Sequence, residues 1–406
     1  MTRIDDPLDG PAMAPVAPAA TRTTAAHFGG RPPWSTRVQL PRWVVYPTVV
    51  FVVSRIVVMG AVWTALRIRP NPTHFDVLER WDGSWYVLAA EKGYSHIVPA
   101  LQGGVGNAGQ STHAFFPMLP FLLRAGHALG LTYVSASLVV NLVAGIAAAV
   151  LLGRLVAELA GEDAAERAIV IFCCFPGAYV FTLIYAEGLL LALAIGCILA
   201  LRHHQWILAG TLAAFATATR PNAIVLVACC AWEAFVFIRR ADDRRRALIA
   251  LAAPALSPIG VLAFMAFLWR RTGHAFVWLT VERRGWGQSF DLMYVVHRTS
   301  FVAHHPLQDL NTTVSVLGLV VILATGYLFV RTRPPVVLWI YTVGIVALSL
   351  GGNAFAHPRF IETAFPLVAA IGQRLRWPAL SQVLSVSVAT LVGLTMIFIA
   401  TTLVVP

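Results

Sequence analysis

Long apolar runs, separated by short polar segments, dominate the chain from residue 42 onwards. The first run, Trp43 to Leu66, is long enough to cross a bilayer as a helix, which takes about 20 apolar residues. With the runs that follow, this pattern predicts an all-α polytopic membrane protein with about 11 transmembrane helices. The later runs are 132–157, 168–184, 187–201, 206–219, 222–238, 247–269, 312–330, 335–351, 359–373 and 380–404.

Composition supports this interpretation and excludes others. Hydrophobic residues make up 58% of the chain and charged residues 12%, whereas a soluble domain has roughly 25% charged residues. A water-soluble enzyme and a disordered protein are therefore excluded. The net charge of +11 does not indicate nucleic-acid binding, because most basic residues lie at the ends of apolar runs, where they set membrane topology.

Residues 1–41 are rich in Ala, Pro, Thr and Arg and have no apolar core. We expect them to form a disordered basic cytoplasmic tail and not a cleaved signal peptide. Residues 42–406 then form one transmembrane domain, with a first outer loop at 67–112 and a long outer loop at 270–311.

The short apolar segment 115–130 decides the topology. It contains Pro117, Pro120 and Arg124, and we interpret it as a juxtamembrane helix in the outer face. The N-terminus and the short basic loops then face the cytoplasm, as the positive-inside rule requires. Those loops are Arg202–His204, Arg239–Arg246, Arg331–Arg333 and Arg374–Arg376. This topology predicts a multi-pass protein of the cell membrane.

Short polar motifs stand at the predicted outer ends of the apolar runs. In chain order they are Arg80-Trp81-Asp82-Gly83, Glu91-Lys92-Gly93-Tyr94, Ala114-Phe115-Phe116-Pro117, Phe175-Pro176-Gly177-Ala178-Tyr179, Tyr185-Ala186-Glu187, Ala218-Thr219-Arg220-Pro221-Asn222 and Arg359-Phe360. Ionisable groups near membrane depth are expensive and tend to be functional. This ordered set resembles the PIG-V-like mannosyltransferases, which are membrane glycosyltransferases of the GT-C type related to the second mannosyltransferase of glycosylphosphatidylinositol assembly.

The resemblance implies a GT-C-like fold, a polyprenyl-phosphate-mannose donor, and a lipid-linked or membrane-proximal acceptor. It also implies chemistry on the extracytoplasmic face, with Asp82 as the general base. Cations stabilise a departing phosphate, and our candidates are Arg220 and Arg359, with His113 and His357 as further donors. The candidate substrate-binding residues are Arg80, Trp81, Tyr185, Glu187 and Asn222. The sequence shows no ligand spacing for a metal site, and a divalent cation at Asp82 is possible but unsupported.

Each candidate also has a structural interpretation. Asp82 can be a helix N-cap, Arg220 a snorkelling side chain, and Glu187 a salt-bridge partner for an arginine. Trp81 can belong to an interfacial aromatic belt, and His357 and Arg359 to a solvated loop. Two functional alternatives stay open, namely a transferase for another polyprenyl-phosphate sugar, such as arabinose or glucose, and a non-enzymatic lipid or solute transporter. Juxtaposition of Asp82, Arg220 and Arg359 in one cavity favours transfer.

Overall fold

The structure is a computed structural model that describes residues 41–68, 76–288, 291–306, 308–352, 355–401 and 403–404. Within these ranges the chain forms α-helices and short 3-10 turns, and no strand, which confirms the predicted all-α class. The α-helices are α1 Arg42–Ile68, α2 Asp82–Lys92, α3 Met118–Ala128, α4 Tyr133–Ala160, α5 Glu162–Cys174, α6 Glu187–Arg202, α7 Trp206–Thr217, α8 Val225–Ile238, α9 Arg244–Ala250, α10 Ala252–Leu256, α11 Ile259–Thr272, α12 Val277–Trp286, α13 Leu292–His304, α14 Leu310–Arg331, α15 Val336–Ser349, α16 Pro358–Thr363, α17 Phe365–Arg374 and α18 Trp377–Ala400. The predicted N-terminal tail lies outside the described residues, apart from its last position.

Five helical segments in the described ranges are long and apolar enough to cross a membrane. They are α1, α4, α14, α18 and the segment Pro221–Ile238, which ends with α8. A sixth arises if the pair Arg244–Leu256 and Ile259–Thr272, bent by 40°, counts as one span. The chain is therefore a membrane protein, while the number of about 11 crossings stays a prediction.

Prolines divide three of the predicted apolar runs. The run 168–184 leaves the α-helix after Cys174 and continues as a 3-10 turn from Pro176. The run 247–269 breaks at Pro258, before α11, and the run 359–373 breaks between α16 and α17. Proline lacks the N–H that a continuing helix needs. A hydropathy pattern does not show the missing N–H group. The sequence pattern therefore predicted longer helices than the chain forms.

The segments predicted as outer loops contain helices of their own. The stretch 67–112 holds α2 and several 3-10 turns, and 270–311 holds α12 and α13. The segment 115–130 holds α3, which begins after Pro117. These short helices carry polar residues to the ends of the longer ones.

The centre of the fold is a group of helices packed around α4 and α5. Helix α4 contacts α5 and α6, α5 contacts α17, and α1 contacts α18. Within this core, buried Arg55 on α1 donates hydrogen bonds to the backbone oxygens of Ala178 and, at 2.8 Å, of Cys173. The arginine thereby fixes the turn that follows α5 against α1.

Gly177 allows α16 to approach that same turn. A Cβ atom at this position would overlap the backbone oxygen of Pro358 and would lie 2.9 Å from the Cβ of Glu362. Because α16 carries Arg359, the missing side chain at residue 177 helps to set the position of that arginine.

We predict that Gly177→Ala destabilises the protein by about 1–3 kcal/mol, the typical cost of overpacking a core. Gly60→Ala is the matched control, since Gly60 lies on the exposed side of α1 with nothing within 4 Å of a new Cβ. Alanine is the better helix former by roughly 0.5–1 kcal/mol, so this control should be neutral or stabilising. Thermal unfolding in detergent measures both. Equal midpoints for the two variants would contradict the close approach of α16.

Candidate active site

A cavity of about 460 Å³ collects polar side chains from distant parts of the chain. Its size falls in the range of roughly 300–1,000 Å³ that is usual for ligand pockets. Its polar and charged lining comes from α2, the junction between α7 and α8, α12 and the segment that follows it, the end of α15, and α16. These residues are Asp82, Tyr86, Thr219, Arg220, Asn222, Glu282, Arg283, Gln288, Ser349, Arg359 and Thr363.

Local backbone structure fixes Asp82 in the first turn of α2. Trp81, directly before it, has φ 60°, which is the left-handed region that side chains other than glycine rarely adopt. Gly83, directly after it, packs so closely that an added Cβ would lie 3.0 Å from the Leu78 oxygen and 3.3 Å from the Ile184 Cβ. The start of α2 is thereby locked between a strained residue and a tight contact, a situation common at functional sites.

Asp82 and Arg359, which both line the cavity, form an ion pair. Nη1 of Arg359 donates to Oδ2 of Asp82 at 2.6 Å. Arg359 is 7% exposed, and its guanidinium lies 5.4 Å from the ring centre of Tyr185 and 4.8 Å from that of Phe360. Aromatic faces stabilise a desolvated guanidinium. Tyr185 and Phe360 thus help to stabilise the buried charge of Arg359.

A second ion pair lies beside the first. Glu187 is completely buried in the first turn of α6 and pairs with Nη1 of Arg220. Its Oε1 is also 4.0 Å from Nη1 of Arg359. A carboxylate is favourable at a helix N-terminus, so α6 itself stabilises the charge of Glu187. Two arginines and two carboxylates therefore form one connected group.

Three other predicted site residues, Arg80, Trp81 and His113, lie outside the lining of this cavity. Arg80 donates to the Ile399 oxygen at 2.9 Å, and Trp81 buries its indole nitrogen without a partner in the described chain. His113 is buried, with Nε2 2.9 Å from the Ser95 oxygen. Asn222, by contrast, lines the cavity as expected.

His357 is buried with its Nε2 3.3 Å from the Asn311 oxygen. Burial, and then the charge of Arg359, lower the pKa of His357 to about 4. Burial also lowers the pKa of His113. Both imidazoles are neutral at pH 7, and one ring nitrogen of each lies beside a backbone oxygen, while Nδ1 of His357 is buried without a partner among the described residues. Their role as hydrogen-bond donors to a phosphate stays a prediction.

Glu282 is a cavity residue that the sequence analysis did not select. It lies on α12, within the segment predicted as a long outer loop. Burial raises the pKa of Glu282 to about 7, and the charge of Asp82 acts in the same direction. The available signal was an isolated acid between Trp278 and Trp286 in an arginine-rich stretch.

The arrangement suits reactions at an anionic, hydroxyl-bearing ligand. Arg220 and Arg359 can receive negative charge, and carboxyl groups can accept a proton or bind hydroxyl groups. Among the described residues, no group of three or more His, Cys, Asp or Glu side chains is placed to hold a metal ion.

Comparison with protein families identifies one match. The family model described as "Mannosyltransferase (PIG-V)" matches residues 71–276, slightly more than half of the chain. The matched range includes Asp82, Glu187 and Arg220, and it ends before Glu282 and Arg359. A comparison with curated proteins finds no match.

Solved structures show a distant likeness. ArnT from Cupriavidus metallidurans, bound to undecaprenyl phosphate, is 13% identical with a TM-score of 0.48, over 82% of this chain and 62% of that one. The apo oligosaccharyltransferase of Archaeoglobus fulgidus is 14% identical with a TM-score of 0.46, over 87% and 56%. The archaeal oligosaccharyltransferase AglB from the same organism, in complex with an inhibitory peptide and a dolichol-phosphate, gives the same values. The chain thus matches less than two thirds of these proteins, and the likeness is too weak to support an inference about function.

We predict that Arg220→Gln and Glu187→Gln each lower the free energy of unfolding by about 3–5 kcal/mol, since each leaves a buried charge without its partner. The double variant should lose much less than the sum of the two. Thermal unfolding of the four proteins measures the coupling. Losses of stability that simply add would mean that the two side chains do not interact in the folded protein.

Proposed function

The chain belongs to the PIG-V family of mannosyltransferases, and we propose that it transfers mannose from a polyprenyl phosphate carrier to a hydroxyl group of a membrane-proximal acceptor, namely a glycolipid. The observation that carries this proposal is the meeting of Asp82, Arg220 and Arg359 in one cavity. We further propose that the cavity faces the extracytoplasmic side and the N-terminus the cytoplasm, in keeping with the positions of the basic loops.

The donor supplies its own leaving group. Breaking the bond between C1 of the sugar and the phosphate oxygen places positive charge on the ring and negative charge on the phosphate. Arg220 and Arg359 are positioned to stabilise that negative charge, and one well-placed donor is worth about 3–4 kcal/mol in a transition state. The proposal assigns this role to the two arginines and includes no metal or cofactor.

Asp82 is the proposed base. As the acceptor oxygen attacks C1, the Asp82 carboxylate takes the proton of the hydroxyl group, and the carrier phosphate departs from the opposite face of the ring. This single displacement inverts the anomeric centre, as in glycosidases that place a base and a leaving group on opposite faces.

The ion pairs link donor binding to the state of the base. Arg359 is bonded to Asp82 and lies near Glu187, and a guanidinium has five N–H groups to distribute. A phosphate that binds Arg359 competes with Asp82 for these donors. We therefore infer that donor binding weakens the ion pair between Arg359 and Asp82. The Asp82 carboxylate can then accept a proton more readily.

The decisive test is transfer of radiolabelled mannose from polyprenyl-phosphate-mannose in membranes that contain wild type or Asp82→Asn. We expect normal insertion of the variant and a loss of transfer of about 10²–10⁴-fold, the usual contribution of a general base. Glu91→Gln is the matched control, because Glu91 is an exposed carboxylate on the same helix, and it should retain full activity.

Parallel donors carrying arabinose or glucose distinguish the alternatives within the transferase class. Preferential transfer of one of those sugars would replace mannose in the proposal. Undiminished transfer by Asp82→Asn would remove Asp82 as the base. Movement of the intact donor across the membrane of proteoliposomes, without formation of a glycosidic product, would favour a transporter.

A further inference from the structure

Glu282 is a second carboxyl group in the cavity that holds Asp82. Helix α12 brings it there between Trp278 and Trp286, which also line the cavity. The helix is anchored from outside, since Nη1 of Arg284 donates to the Ala100 oxygen at 2.8 Å and Nε2 of Gln110 donates to the Gly285 oxygen at 3.2 Å. The position of Glu282 is therefore set by the fold.

Its carboxyl group has no partner among the described residues. Both arginines deep in the cavity are engaged, Arg359 by Asp82 and Arg220 by Glu187. Glu282 itself forms no side-chain hydrogen bond and no ion pair within the part of the chain that the structure describes, although it is half-buried. Because Glu282 lines the cavity, its carboxyl group is free to bond a ligand there.

The surroundings of Glu282 favour the protonated, uncharged form of its carboxyl group, and this form suits an uncharged group of a ligand. Burial raises its pKa to about 7; the Asp82 charge also raises it, while Arg220 and Arg359 lower it. Two further groups belong to its surroundings: Arg283 on the same helix and His113, which is neutral at pH 7, on a turn packed against α12. A protonated carboxyl group can both donate and accept a hydrogen bond, which matches a sugar hydroxyl.

Glu282 lines the same cavity as Asp82, the proposed base. It also lies beyond residue 276, where the family match ends. Both observations favour a role in recognising this protein's own acceptor.

We propose that Glu282 hydrogen-bonds hydroxyl groups of the acceptor sugar and so determines which hydroxyl reaches Asp82. This inference rests on the proposed transferase function. In this role Glu282 contacts the substrate, and Asp82 alone takes the proton.

The test is a binding measurement that needs no turnover. Purified wild type, Glu282→Ala, Glu282→Gln and the control Glu91→Gln are titrated with radiolabelled n-octyl α-mannoside, as an acceptor probe, and separately with polyprenyl phosphate. We expect Glu282→Ala to weaken mannoside binding by about tenfold, the worth of a hydrogen bond or two, and to leave polyprenyl phosphate binding unchanged. The control should match wild type for both ligands.

The pH dependence separates a binding role from a folding defect. Above pH 7 wild type loses the Glu282 proton and with it a donor, so mannoside binding should weaken several-fold between about pH 6 and 8.5. Glu282→Gln, whose amide keeps a donor and an acceptor, should bind like wild type at pH 6 and stay constant at pH 8.5.

Three results would overturn the inference. They are no mannoside binding by wild type, equal binding by wild type and Glu282→Ala, and a loss confined to polyprenyl phosphate. A protein that binds the mannoside through Glu282 but transfers no mannose would instead refute the proposed function and leave this assignment standing.

Discussion

The ion pair between Arg359 and Asp82 is the interaction on which the geometry of the cavity depends. It joins two residues that are 277 positions apart in the chain, so it forms only when the first and last thirds of the protein have folded together. Removing two charges from water costs several kcal/mol per ion. Glu187 and Arg220 lie alongside and complete an alternating set of charges, which offsets that cost. The polar centre and the helical core therefore assemble as one unit.

This alternation also determines how the cavity responds to a ligand. Arg220 and Arg359 each have a carboxylate partner, and Nε of Arg359 is buried without a partner in the part of the chain that the structure describes. An anionic ligand that binds either guanidinium changes the balance of charge over the whole set. Glu187 lies near both arginines, so a change at one of them also affects the other.

Much of this site could be predicted from the sequence, and what could not be predicted has physical causes. Asp82, Arg220 and Arg359 were identifiable because charged residues within short motifs at the ends of apolar runs are costly without a function. Which carboxylate pairs with which arginine depends on how the helices are arranged in space, which no local pattern encodes. For His357, the sequence did not indicate that Nε2 lies beside the Asn311 oxygen, because that contact joins residues 46 positions apart. Glu282 was not selected as a site residue, because the fold of the long loop that carries it has no local signal in the sequence. Proline breaks such as that at Pro176 lie within apolar runs, where hydropathy does not show them.

Arg80 connects the start of α2 to the far end of the chain. Its guanidinium binds the backbone oxygen of Ile399, in the last turn of α18, where carbonyl groups have no partner within the helix. The residue two positions before Asp82 thus caps α18. A chain shortened within α18 would remove this contact and disturb the segment that carries Asp82 from more than 300 residues away.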